Sequence, residues 1–110
     1  MNQLKYERIL VKISGEALAG ECGHGLDFGV LEGVCSQIKK CCEMGCQVAV
    51  VVGAGNFWRG RNGNEMEQFR ADNMGMMATM MNVLALQDTF LRIGVDARAM
   101  SAVPMEKFAE

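Results

Sequence analysis

The 110-residue chain has no apolar run near the roughly 18 residues needed to span a bilayer. Its start, Met1-Asn2-Gln3-Leu4-Lys5-Tyr6-Glu7-Arg8, meets charge before any long apolar stretch, so neither a signal peptide nor a membrane partner is expected. It has no basic surplus: 11 Lys and Arg stand against 13 Asp and Glu, a net charge of -2. A general nucleic-acid binder needs the opposite balance to neutralise phosphates. There is one histidine, His24, and no C-x-x-C among cysteines 22, 35, 41, 42 and 46. A zinc site wants four ligands at suitable spacing, and a disulfide framework suits a secreted chain, which nothing here marks. Reduced cysteines, no metal site and a cytoplasmic location are therefore expected. No internal repeat or low-complexity tract is visible. What remains is half apolar and 22% charged, ordinary globular composition at a length that suits one compact domain.

Segment types alternate along that domain. Arg8-Ile9-Leu10-Val11-Lys12-Ile13 is short and β-branched and reads as a strand. A loop with Gly20, Gly23 and Gly25 follows. From Phe28 to about Met44 the apolar residues fall at 30, 31, 34, 35, 38, 41 and 42, the helical period, and Gly45 stands where a left-handed cap belongs. Gln47 to Val52 is a second strand, apolar on both faces, as in a parallel sheet covered by helices. Residues 61–67 read as a loop. A long helix is predicted from about Arg70 to Arg92, closed by Gly94, then a third strand over Val95 to Met100; Pro104 starts something new. Strand, helix, strand, helix, strand is the α/β pattern with a parallel sheet. Three strands are few for such a sheet, so the chain reads as the first half of something larger or as a small domain that closes by self-association.

In open parallel sheets, ligands bind beyond the carboxyl ends of the strands. Two glycine turns fall there: Lys12-Ile13-Ser14-Gly15-Glu16 and Gly53-Ala54-Gly55-Asn56-Phe57-Trp58-Arg59-Gly60. Glycine lets backbone approach a phosphate, and Lys12 and Arg59 could neutralise charge on one ligand. Neither turn is the G-x-x-x-x-G-K-[ST] loop or the G-x-G-x-x-G fingerprint. Each alone also reads as a plain tight turn. Met74, Met76, Met77, Met80 and Met81 are core or interface filler rather than a metal box. Trp58 packs the turn or stacks on a base. Asp72 with Asn73 could cap the Met-rich helix.

These strings together resemble the N-terminal half of bacterial uridylate (UMP) kinases, of the amino acid kinase superfamily. The resemblance rests on Arg8 to Leu18, Gly53 to Gly60, Ala71-Asp72-Asn73-Met74-Gly75-Met76-Met77-Ala78-Thr79 and Asp96-Ala97-Arg98-Ala99-Met100-Ser101-Ala102. It implies a carbamate-kinase-like α/β fold, a parallel sheet sandwiched by helices, of which residues 1–110 are the acceptor-nucleotide half. It implies transfer of the γ-phosphoryl group of ATP to UMP in pyrimidine nucleotide biosynthesis, with Mg²⁺ carried on the phosphates and no tightly bound cofactor. Lys12 and Arg59 take the catalytic positions, and Lys12, Ser14, Gly15, Gly55 and Arg59 the ATP contacts. Gly53, Ala54 and Asp72 take the UMP contacts, with Ala54 where a glycine is usual. Gly20, Glu21, Cys22, Gly23, His24, Gly25 and Arg98 match segments tied to GTP or UTP effectors, although Gln87 and Leu91 replace basic residues seen in some relatives. A homohexamer is implied for the full-length family. Its members run about twice this length, so the chain alone is expected to be inactive. Two other readings stay open: another amino acid kinase acting on a small carboxylate or carbamate, and a non-catalytic fragment that only self-associates through its Met-rich helix and sheet edge.

Overall fold

The computed structural model describes residues 7–58 and 67–101. Strand β1 (Arg8–Ile13) leads into a 3₁₀ helix (Gly15–Cys22), then helix α1 (Phe28–Glu43), strand β2 (Gln47–Val52) and helix α2 (Gln68–Arg92). β1 and β2 pair in parallel, from Arg8 opposite Gln47 to Ile13 opposite Val52. The two strands and α1 stand where the sequence puts them. The 3₁₀ helix does not: the expected loop is helical up to a break at Gly20, whose φ of 63° no side chain favours.

α1 buries the predicted face. Leu31, Cys35 and Ile38 are buried, and Val30, Val34, Cys41 and Cys42 are half-buried. Asp27 caps its start, accepting the Val30 N–H at 3.1 Å. Both helices end in the same way. Gly45, at φ 94°, donates its N–H to Cys42, and Cys46 donates to Cys41; Gly94, at φ 87°, donates to Leu91, and Val95 to Phe90. This double closure satisfies the last carbonyls and turns the chain back toward the sheet. Lys39 Nζ donates to the Ile93 carbonyl at 2.6 Å, placing a cation at the negative end of α2.

Leu18, Leu31, Cys35, Ile38, Val52, Leu86 and Phe90 form one core, joined by Ile13, Val48 and Val50 from one face of the sheet. On the other face Leu10 is 59% and Val51 52% exposed. The third strand expected over Val95 to Met100 does not form. Its alternation persists, with residues 95, 97 and 99 turned inward. Its backbone forms no ladder with β2, however; the Ala97 carbonyl accepts the Gln87 side-chain amide at 3.2 Å. A cavity of about 370 Å³ separates the two, lined by Val48, Val50, Val83, Leu86 and Ala97 among others.

Two predictions follow from the backbone and the core. Gly33, mid-α1 with open space at its Cβ position, should gain roughly 1 kcal/mol when replaced by Ala; Gly94→Ala should lose about as much, both read by thermal melting. Burial lifts the Cys35 thiol to about 11, against 9.0 when exposed. The raised value favours the neutral, folded form, so stability present below about pH 9 is lost as pH climbs toward 11, by up to roughly 3 kcal/mol. Melts from pH 8 to 11 should show a steeper alkaline fall for the native chain than for Cys35→Ala.

Candidate functional site

The two glycine turns meet at the carboxyl ends of the strands. A Cβ on Gly15 would lie 2.7 Å from both the Gly53 carbonyl oxygen and the Gly55 nitrogen, and 2.8 Å from Asn56 Oδ1. Such separations are closer than real Cβ atoms allow, so only glycine permits this approach. Gly55 in turn lies against Glu16, whose Cγ would be 2.9 Å from a Cβ there. The first turn is set by Ser14, whose hydroxyl accepts the Glu16 N–H at 3.2 Å and caps the 3₁₀ helix. Gly53 N–H donates to Ile13 at 3.3 Å, carrying the sheet pairing into the turns.

Lys12 stands three residues before Gly15. It is exposed and makes no hydrogen bond or ion pair with any described residue. Ala54, where a methyl would be costly at positive φ, has an ordinary backbone: among the described residues only glycines have positive φ. Its carbonyl accepts from the Phe57 and Trp58 N–H groups, both at 2.9 Å, and closes the second turn. Arg59 lies outside the described residues.

Trp58 ties the turn to α2. Its indole N–H donates to the Ala71 carbonyl at 3.0 Å, and its ring lies over Gly75, 3.4 Å from where a Cβ would sit. Its packing role is seen directly, since the ring edge and N–H are both engaged with the helix. Asp72, the next residue along α2, is exposed and accepts from Gln68 at 2.7 Å. It does not cap the helix, as the alternative reading had it: Glu67 holds the N-cap position, without a side-chain cap bond.

Sequence reasoning gave no role to Asn56 or Asn82. Asn56 is 3% and Asn82 0% exposed, and their amides bond reciprocally at 2.9 and 2.7 Å. Asn82 also donates to the Gly53 carbonyl, and Asn56 to the Gly25 carbonyl, each at 2.7 Å. An amide among mainly apolar core positions of α2 was the available signal, because such a group is tolerated in a core only when paired.

Residues 20–25 reach this site through Gly25, whose N–H also donates to the Asn56 carbonyl at 2.9 Å. Glu21, Cys22, Gly23 and His24 are exposed beside it, with Cys22 Sγ 3.7 Å from His24 Nε2. Arg98 is not part of this grouping; it lines the cavity beside β2. Among the described residues no group of three or more His, Cys, Asp or Glu could hold a metal ion, and no helix is long and apolar enough to cross a membrane.

The arrangement offers a backbone cradle at two strand ends, a cation, Lys12, with no partner among the described residues, and a carboxylate on the neighbouring helix, parts that suit an anionic, hydroxyl-bearing ligand. Comparison with known proteins gives the family. Residues 7–109 match the amino acid kinase family. The chain is similar to the UMP kinase from Bacillus anthracis at 32% identity and a TM-score of 0.88, covering 96% of this chain and 44% of that one. It is similar to the UMP kinase from Ureaplasma parvum at 36% identity and a TM-score of 0.88, covering 97% of this chain and 46% of that one. The chain belongs to the amino acid kinase family and spans less than half the length of these two UMP kinases.

The glycine joint is open to direct test. Gly15→Ala should force the turns apart at a cost of about 2 kcal/mol or more, lowering Tm by roughly 10 °C. Gly53→Ala, whose nearest neighbour would be 3.9 Å away, should shift the melt far less.

Proposed function

We propose that this member of the amino acid kinase family is the acceptor-side portion of a UMP kinase. In that reaction a phosphate oxygen of UMP attacks the γ-phosphorus of ATP, the bond to the β-phosphate oxygen breaks, and ADP and UDP leave. The observation that carries the reading is the interlock of the Gly15 and Gly53–Gly55 turns with the unpaired Lys12 at their edge. Phosphoryl transfer asks little covalent work of a protein; positioning and charge stabilisation supply most of the rate. Two abutting backbone cradles are suited to holding two phosphate chains end to end.

In this reading Ser14, Gly15 and Gly55 line the ATP phosphates, and Lys12 neutralises charge on the group in transit. Arg59, one residue beyond Trp58, adds a second cation. Gly53 and Ala54 offer backbone to the UMP phosphate. Asp72 exchanges its bond with Gln68 for the ribose hydroxyls, held near the turn by the Trp58–Ala71 bond. Mg²⁺ would be carried on the ATP phosphates beside Lys12 and would supply charge that offsets theirs. Turnover needs the remainder of the fold, so the chain by itself binds without catalysing. The 20–25 loop and Arg98 would serve GTP or UTP effectors, the first through Gly25.

The reading places the protein in cytoplasmic pyrimidine nucleotide synthesis, as a homo-oligomer and, in full-length form, a hexamer. Self-association is favoured by one feature of α2. Met74, Met77, Met81 and Leu84 recur at steps of three and four, and each is at least one-third exposed. Apolar rows at that spacing are usually covered by another helix.

Calorimetric titration of the chain with UMP tests the assignment. We expect saturable binding, weakened about 10- to 100-fold in Asp72→Asn, the loss of one or two hydrogen bonds to a charged group. Lys12→Ala should weaken ATP while leaving UMP affinity near its native value. A folded chain that ignores UMP, or binds it equally well as Asp72→Asn, overturns the acceptor assignment. Preference for an amino acid or carbamate would point to the other branch of the family.

A further inference from the structure

The four hydrogen bonds of the two buried amides do more than fill a core position. Asn82 sits on α2 where its neighbours in the core, Leu86 and Phe90, are apolar, and it is fully buried. An amide there is tolerated because every N–H is used. Asn82 Nδ2 serves the Gly53 carbonyl and Asn56 Oδ1; Asn56 Nδ2 serves Asn82 Oδ1 and the Gly25 carbonyl. The bond to Gly53 has a directional consequence. In a planar trans peptide the carbonyl and the following N–H point opposite ways. Drawing the Gly53 carbonyl in toward α2 therefore turns the Ala54 N–H outward, and that N–H donates to no described residue.

We propose that Asn82 is a positioning residue for the nucleotide turn: through the Gly53 carbonyl and Asn56 it aims the Ala54 N–H at the acceptor phosphate. This rests on the reading of that turn as the UMP site. The same pair holds Gly25, so the 20–25 loop and the turn share one support. Asn82 touches no substrate; it acts by fixing a peptide plane. A leucine in its place would fill similar volume, leave the Gly53 carbonyl and Asn56 Oδ1 without their donor, and leave Asn56 Nδ2 with the Gly25 carbonyl alone.

The test uses Asn82→Asp, which keeps the shape and removes both donors, beside Leu31→Ala, a core change on α1 that takes no part in the amide network and also lowers Tm. Two readouts are taken well below both melting points: the backbone amide resonances of Ala54 and Gly55, and UMP affinity by calorimetry. We expect Asn82→Asp to shift the Ala54 resonance and weaken UMP at least tenfold with one site per folded chain. Leu31→Ala should leave both close to native. Lowering the pH should restore part of the Asn82→Asp loss, because the protonated acid regains a donor. Should Asn82→Asp fail to fold, Asn82→Ser, which keeps one donor, gives the same two readouts. An unmoved Ala54 resonance, or equal UMP affinity in Asn82→Asp and Leu31→Ala, overturns the proposal. If the native chain binds no UMP, the functional reading fails, while the Ala54 resonance still decides whether Asn82 positions the turn.

Discussion

The contact between Gly15 and the Gly53–Gly55 turn is the constraint around which the site is arranged. With 2.7 Å from a would-be Cβ to two backbone atoms, the two strand ends are as close as main chain can come. That closeness converts two ordinary tight turns into one surface. It also leaves no room for a side chain to fasten the joint from within. The fastening comes from outside, through Asn56 and Asn82 on one flank and Trp58 on Ala71 and Gly75 on the other. A site built from backbone depends on such neighbours because glycine brings no contacts of its own and the most conformational freedom to lose.

The helices are secured by a different device. Each ends in a left-handed glycine with two carbonyls satisfied, and α1 begins on a capping aspartate. These local devices need few long-range partners, so each helix is defined largely by its own residues. The sheet has no such independence. Two parallel strands bury one face against α1 and α2, while Leu10 and Val51 stay more than half exposed on the other. The α2 methionine row is a second apolar surface without cover. Both belong to a chain that spans 44% and 46% of the two UMP kinases it is similar to.

Charge is used sparingly. Two exposed ion pairs among the described residues, Glu67 with Arg70 and Asp88 with Arg92, each join neighbouring turns of one helix and add little to stability. Lys12, in contrast, has no acid partner among the described residues. In a chain with more acids than bases, an unpaired cation at a strand end is a placement with consequences for anion binding.

Much of this was legible in the residues themselves. The bounds of β1 and β2, the buried face of α1, and both glycine caps follow from period and local chemistry, which act over a few residues and need no knowledge of the rest. The two turns at the strand ends were legible for the same reason, together with Lys12 beside them. Tertiary structure alone decided four other matters. It brought Gly15 against Gly53 and Gly55, a pairing across some forty positions that no local pattern encodes. It engaged the Trp58 indole with α2, and set Asp72 beyond the capping position. It withheld a ladder from Val95–Met100, because a strand exists only where a neighbour pairs its backbone. And it gave Asn82 its meaning: within its own helix it is one polar residue among apolar ones, and only the fold supplies the amide and the carbonyl that make its burial favourable.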